Sequence, residues 1–388
     1  MDLRWLKPLL GRPAPFTSVF LDATRADASG DEEVLGRWRA LRRELEPQGA
    51  TAAVLDEIEE RVARPLGVSG PHGRVLLADA EGVRIDRCVA APPAASSATF
   101  GPVPVLLPAA QAADESSRSL LVVVDRQGAD LTWSDGTGVR DTEHWVVEGD
   151  HDALHKVRDG GLSDKRAEDS WDRNAEAVAA EVDRAVASRD PEVVLLTGDV
   201  RAVALVRDAV GQPVRDRLVE VAGGSRAEGV HREFGHKVAE SLEAFRWRRR
   251  EASLARYREQ QGRGSGAVTA LEDVVAVLQR GQVAELVISP TSGLGSRTLW
   301  VGPEPLQLAL SETELGVIGV DGPVRPMPAD AALLRAAVGQ DAGLTLVDDG
   351  QVELVDGVGA VLRWSDGSTP SEAVPTLSSD QMRLRRIV

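Results

Sequence analysis

The chain has 388 residues, 43 % hydrophobic and 27 % charged, a globular composition too long for one ordinary core, so about two or three domains are expected. Its formal net charge of −16 excludes general nucleic-acid affinity, which rests on lysine and arginine neutralising phosphates, and leaves room only for local contacts. The apolar runs fall short of the roughly 20 residues that span a bilayer, and the opening MDLRWLKPLLGRPAPF has an acidic residue at once and no uninterrupted apolar stretch, so no membrane segment or secretory signal is expected and cytoplasm follows.

In chain order, FTSVFLD (16–22) and GRVLLADAEGVRIDRCVA (73–90) read as strands, the second split by a turn at Glu81-Gly82. Between them, DEEVLGRWRALRRELEP and TAAVLDEIEERVARPL carry apolar residues at helical spacing, as at Val54, Leu55, Ile58 and Val62. Residues 1–117 thus predict a small α/β domain. The single Cys88 sits in a strand-like run and reads as a buried structural thiol. Trp5 and Trp38 read as core, and RWRALRR (37–43) as a basic helix face that meets either RNA or solvent. The Pro-, Ala- and Ser-rich stretch 91–117 is expected to be an irregular connection to the next domain.

A second domain, 118–262, opens on a meander: SLLVVVDRQGADLTWSDG (119–136) turning at Gln127-Gly128, then HWVVEG (144–149). A long amphipathic helix near 170–188, the buried strand EVVLLTGDV (192–200) and a helix over RAVALVRDAV follow, a strand–helix alternation that favours an α/β layer. An arginine-rich helix runs from about 229 to the Gly-rich GRGSG at 262–266. The third domain, 263–364, reads as helix VTALEDVVAVLQRG, strands AELVISP and TLWVG, helix DAALLRAAVGQ, and strands LTLVDDG and GVGAVLRW, an α/β/α sandwich. Residues 365–388 read as a flexible tail. Cut at 117/118 and 262/263, each of the three pieces is net acidic.

Before the long helix stands HKVRDGGLSDKR (155–166), a Gly160-Gly161 pair flanked by His155, Lys156, Arg158, Lys165 and Arg166, partly offset by Asp159 and Asp164. These donors suit RNA phosphates, or they are a solvated turn with weak local ion pairs. A denser patch is FRWRRREASLARYRE (245–259), where Arg246, Arg249, Arg250 and Arg256 fall on neighbouring turns. It reads either as an RNA contact or as a helix whose arginine stems cover apolar surface. Asp125 ends a strand where a nuclease would hold a metal, but Asp130, Glu148 and Asp199 have no spacing that forces convergence, so turn or ladder roles are expected. Six histidines and one cysteine make no zinc signature, and there is no phosphate-binding GxxxxGK[ST] and no G-x-S-x-G elbow. No metal, cofactor or catalytic residue is assigned.

The order of meander, Gly-Gly loop, long helix, strand, arginine-rich helix, Gly hinge and α/β/α domain resembles the archaeal and eukaryotic class-1 peptide release factors and Pelota. The strings LRWL, PFTSVFLD and DGVGAVLRW are similar to bacterial members of that group, among them the mycobacterial proteins and the hibernation factor Balon. The resemblance covers residues 1–364 and implies a multidomain α/β chain with an RNase H-like middle domain and an L7Ae-like last domain. In the release factors the loop before the long helix carries Gly-Gly-Gln at the peptidyl-transferase centre. Here the third position is Leu162, whose isobutyl group neither donates nor accepts a hydrogen bond and cannot position water. The family's stop-codon motifs have no counterpart in 1–117.

The resemblance therefore implies a monomeric A-site factor for ribosome hibernation or rescue that does not read stop codons. It would contact ribosomal RNA and P-site tRNA, with elongation factor Tu and GTP meeting the last domain. Two alternatives stand beside it. One is a peptidyl-tRNA hydrolase using Ser163 or His155 of the loop; the other is an acidic protein-binding adaptor away from the ribosome.

Overall fold

A computed structural model describes residues 1–25, 30–64, 71–114, 117–136, 142–148, 162–227 and 232–370, the side chains of 31, 162–170 and 232 excepted. The chain is mixed α/β with several sheets and gathers into two units: the N-terminal part up to Asp114 together with the part from Arg248 on, and the stretch between them.

The first unit begins with a 3-10 turn, Arg4–Leu9, followed by β1 (Phe16–Asp22), α1 (Gly30–Leu45), α2 (Ala52–Ala63), β2 (Gly73–Asp79), β3 (Gly82–Val89), β4 (Ser97–Gly101) and α3 (Leu106–Ala113). The strands form an antiparallel sheet in the order β3-β2-β1-β4. Strand alternation sends Val19, Leu21, Leu76 and Ala78 to one face, where they pack on Trp38 of α1 and on Leu55 and Ile58 of α2. Phe16, Val75, Leu77 and Ile85 point the other way, into a core shared with the C-terminal part of the unit. With both faces covered, every residue of β2 is buried, which accounts for its unbroken apolar run. Cys88 is buried, and burial pushes its thiol pKa up. Trp38 is fully buried, while Trp5 is half-buried beneath the Arg87 guanidinium, 4.9 Å from its ring centre.

The second unit holds β5 (Ser119–Val124), β6 (Gly128–Ser134), β7 (Glu143–Glu148), α4 (Leu162–Arg189), β8 (Val193–Gly198), α5 (Val200–Ala209), the short α6 (Gln212–Arg215) and β9 (Leu218–Glu220). The sheet order is β7-β6-β5-β8-β9: an antiparallel meander with β8 and β9 added parallel to β5. One face packs on α4 and α5 through Val178, Val182, Ala202 and Val206. The other is covered by the first half of α7 (Arg232–Gly262), whose Phe234, Val238, Leu242 and Phe245 recur at helical spacing. The second half of α7 places Leu254 and Tyr257 in a core of the first unit.

That unit continues with β10 (Ala267–Thr269), α8 (Leu271–Gln279), β11 (Val283–Ile288), β12 (Thr298–Val301), β13 (Leu308–Ala309), α9 (Glu312–Val317), β14 (Arg325–Pro328), α10 (Ala329–Gly339), β15 (Gly343–Leu346) and β16 (Val358–Leu362). They form one sheet in the order β10-β16-β11-β15 and a smaller one in the order β13-β12-β14.

Two expectations are corrected. The stretch 91–117 is not an irregular connection: Ser97–Gly101 pairs antiparallel with β1, and the Ala-rich Leu106–Ala113 is helical because Pro108 lies in the first turn, where a missing N–H costs nothing. The expected opening helix over 268–281 starts late. Ala267–Thr269 pairs with β16, and Ala270 at φ +72° breaks the chain before the helix. Ala270 has no side-chain acceptor for that helix start. A carboxylate oxygen of Asp356 accepts from the Leu271 N–H instead, at 3.1 Å.

Two outcomes test these packings. Arg74, buried within β2, makes a bidentate pair with Asp86 at 2.7 and 2.8 Å and also donates to the Arg61 carbonyl. Asp86→Ala strands a buried guanidinium and is expected to cost about 3–5 kcal/mol in chemical unfolding; a loss under about 1 kcal/mol would show that the pair is not buried as described. The Leu271 N–H and the Arg297 guanidinium hold the Asp356 carboxyl below the usual carboxylate range. The stability it contributes is fully present above the unfolded carboxylate pKa of about 4 and is lost as pH falls through the lower folded value. Asp356→Asn should flatten the acid limb of the stability profile, and an unchanged limb would remove Asp356 from it.

Candidate nucleic-acid interface

Parallel strands β5 and β8 end side by side in the second unit, and each is followed by an aspartate. Gly198 closes β8 at φ +134°, where a Cβ would run into the Val124 carbonyl oxygen, so only glycine fits. Asp199 then caps α5, accepting from the Arg201 and Ala202 N–H groups at 3.0 and 3.3 Å, and pairs with Arg126 at 3.5 Å. Asp125 accepts from the Gln127 and Gly128 N–H groups, shaping the β5–β6 turn. Arg226 lies between Asp125 and Asp130, at 2.8 and 3.0 Å. Burial alone would lower its pKa, yet the two carboxylates hold it raised. Asp125 thus shapes a turn, Asp130 ties strand β6 to Arg226, and Asp199 caps a helix.

Above these strand ends stands a basic and aromatic cluster. The Arg126 and Arg201 guanidinium carbons lie 4.6 and 4.7 Å from the Trp171 ring centre, and Asn174 donates to the Arg126 carbonyl. Trp171 is two to three helical turns beyond the start of α4 at Leu162. Sequence reasoning misses this cluster because its three members come from separate elements; the one available signal is a lone tryptophan in a polar stretch of helix.

The predicted contact residues divide into three sets. His155, Lys156, Arg158, Gly160 and Gly161 lie outside the described residues. Lys165 and Arg166 fall on the first turns of α4, directly after Leu162, which opens the helix. On α7, Arg246 is half-buried beside the exposed Trp247, whereas Arg249 and Arg250 both reach Asp114 at the end of α3, at 3.4 and 2.5 Å. That carboxylate is almost fully buried, so the two arginines serve as internal ties. Arg256 is exposed and has no hydrogen bond or ion pair among the described residues. Arg37, Arg39 and Arg42 of the other basic stretch are absorbed as well: Arg37 donates to the Asp22 and Thr24 carbonyls, Arg39 pairs with Glu59, and Arg42 pairs with Glu46, Asp56 and Glu59.

Residues 118–263 match the family model described as bacterial archaeo-eukaryotic release factor family 2. The uncharacterised proteins Rv2629 and MT2704 of two Mycobacterium tuberculosis strains are each 30 % identical to this chain over 375 residues, which span 94 % of it and 96 % of theirs. The chain belongs to the bacterial archaeo-eukaryotic release factor family. The likeness to these mycobacterial proteins extends over nearly the whole length. Among solved structures, this family member is similar to the archaeal translation termination factor aRF1 (16 % identity, 93 % of this chain and 96 % of that one, TM-score 0.24). It is also similar to Pelota of Archaeoglobus fulgidus (11 %, 93 % and 92 %, TM-score 0.31) and to Dom34 of S. cerevisiae (10 %, 76 % and 80 %, TM-score 0.38).

The two kinds of arginine on α7 should separate in a stability measurement. Asp114→Ala removes the acceptor of two charge-assisted hydrogen bonds and is expected to cost about 1.5–3 kcal/mol, while Arg256→Ala stays within about 0.5 kcal/mol of wild type. Equal effects would contradict the division into structural and surface arginines.

Proposed function

We propose that the protein is a ribosome-binding translation factor that occupies the A site in hibernation or rescue and does not read stop codons. Membership of the release-factor family, whose model matches residues 118–263, supports the ribosome as partner. One observation carries the non-hydrolytic part of the reading: the residue that follows Gly160-Gly161 and opens α4 is Leu162. A leucine offers neither hydrogen-bond donor nor acceptor to a water or an ester, so the loop is suited to contact and not to bond breaking. The second unit is assigned the RNase H-like role and the segment 263–364 the L7Ae-like role, the latter meeting elongation factor Tu with GTP. The protein would act as a monomer in the cytoplasm; no helix among the described residues is long and apolar enough to cross a membrane.

Because the chain is strongly acidic, contact with RNA must be concentrated on local basic surfaces. The loop lysines and arginines, Arg256, and the Arg126–Trp171–Arg201 cluster at the strand ends are the residues assigned to it. Phosphate contacts of this kind release counterions, so affinity should fall steeply with salt: six contacts imply roughly a 10³-fold loss between about 50 and 200 mM.

The test is co-sedimentation with 70S ribosomes across that salt range, with and without elongation factor Tu and GTP, scored beside peptide release from P-site tRNA. Salt-sensitive binding without release is the expected result. Release that disappears in Ser163→Ala or His155→Ala would establish a hydrolase instead, and no sedimentation at any salt would take the ribosome out of the account and leave a protein adaptor.

A further inference from the structure

The first unit contains a cavity of about 270 Å³ where its N-terminal and C-terminal parts meet. Its wall is largely apolar: Leu6 of the 3-10 turn, Phe16 of β1, Met327 of β14 and Val338 of α10 are all buried and line it. Three arginines share the lining, and they differ in how their charge is answered. Arg12 pairs with Asp79 and Glu81. Arg325 donates to the Pro102 carbonyl at 2.9 Å, and Arg335 donates to the carbonyls of Gly302, Pro303 and Pro305, at 3.0, 2.5 and 3.5 Å. Among the described residues no carboxylate lies within salt-bridge distance of Arg325 or Arg335.

Carbonyl dipoles orient a guanidinium but do not neutralise it. Of the five N–H donors of Arg335, three are taken by those carbonyls, which leaves the Nε–H and one Nη–H for another acceptor. Burial and the neighbouring Arg325 charge push its pKa down to about 10, only partly offset by the Glu304 carboxylate, which lies beyond ion-pair distance. A partly buried cation of this kind is strongly stabilised by an anion that brings two oxygens to the fork of the guanidinium.

We propose that this cavity binds a small amphipathic carboxylate of the medium-chain fatty-acid class, its head on Arg335 and Arg325 and its apolar body against Leu6, Phe16, Met327 and Val338. A carboxylate fits better than a phosphate monoester, because desolvating a dianion between apolar walls costs more than desolvating a single charge. The ligand would touch residues far apart in the chain and so hold the N-terminal turn against α10. This site does not depend on the ribosomal reading.

Isothermal titration calorimetry of the full chain with decanoate, kept below its micellar range, tests the proposal, with decanol and decylammonium as neutral and cationic counterparts. Decanoate is expected to bind saturably at one site per chain, at least tenfold tighter than either counterpart, and Arg335→Gln to weaken it at least tenfold. Since Arg335 also ties the 302–305 segment, a second variant guards against a folding defect: Val324→Trp, at the half-exposed lining, fills the cavity and should abolish binding with an unchanged circular-dichroism melt. No saturable decanoate binding, equal affinity for decanol, or wild-type affinity in either folded variant would each overturn the site.

Discussion

The constraint on which the first unit depends is that its N-terminal sheet has two apolar faces, and the core behind one of them runs on into the C-terminal part of the chain. Helices α1 and α2 close over Val19, Leu21 and Leu76, while Phe16, Val75 and Leu77 share a core with Leu6 of the 3-10 turn and Leu106 and Leu107 of α3, a core that runs on into Leu271 and Met327. Uncovered, that face would present a broad apolar surface to water. Covered, it makes one core from the two ends of the chain, and Arg325 seals the seam by donating to the Pro102 carbonyl. The imperfect fit along this seam leaves the cavity, and two of the arginines that border it lack carboxylate partners among the described residues.

Electrostatics follow a related logic. A chain with 61 acidic and 45 basic residues can neutralise most of its arginines internally, and the structure does so: Arg42 meets three carboxylates, Arg226 two, and Arg249 and Arg250 share one. A run of arginines in sequence is thus a poor guide to a basic surface. What matters is whether tertiary packing brings a carboxylate to each, as it does for Arg249 and does not for Arg256 two turns further along the same helix. The guanidinium groups stacked on Trp171 keep their planar faces occupied and are partly answered by Asp199, so their surface is orderly as well as basic.

Elements whose burial pattern repeats locally are legible in the order of the amino acids alone. β1 to β3, α1, α2, the meander, β8, α7 and α10 all announce themselves by alternation or by three- and four-residue spacing. Those that depend on a distant partner do not. β4 is a strand because β1 offers it an edge, and β10 is a strand because β16 does; read alone, SATFG has no alternation and AVT looks like the start of the helix behind it. The same holds for β13, α9 and β14, which no local pattern marks. Within the candidate site, the Gln127-Gly128 pair marks the turn that Asp125 shapes, but the Arg126–Trp171–Arg201 stack joins a turn, a helix and the start of another helix that no local window contains.

The sequence by itself determined the family, the α/β class and the leucine that opens α4, because identity along the chain and hydrophobic periodicity are properties of short stretches read in order. Only the tertiary structure decided which arginines are ties and which are surface, that the N-terminal part up to Asp114 and the part from Arg248 on gather into one unit, and that a cavity bordered by two arginines with no carboxylate at ion-pair distance among the described residues lies within it. The physical reason is that ion pairing, burial and cavity shape are relations between side chains brought together by packing, and a linear chain carries no record of which of its many carboxylates will stand beside which guanidinium.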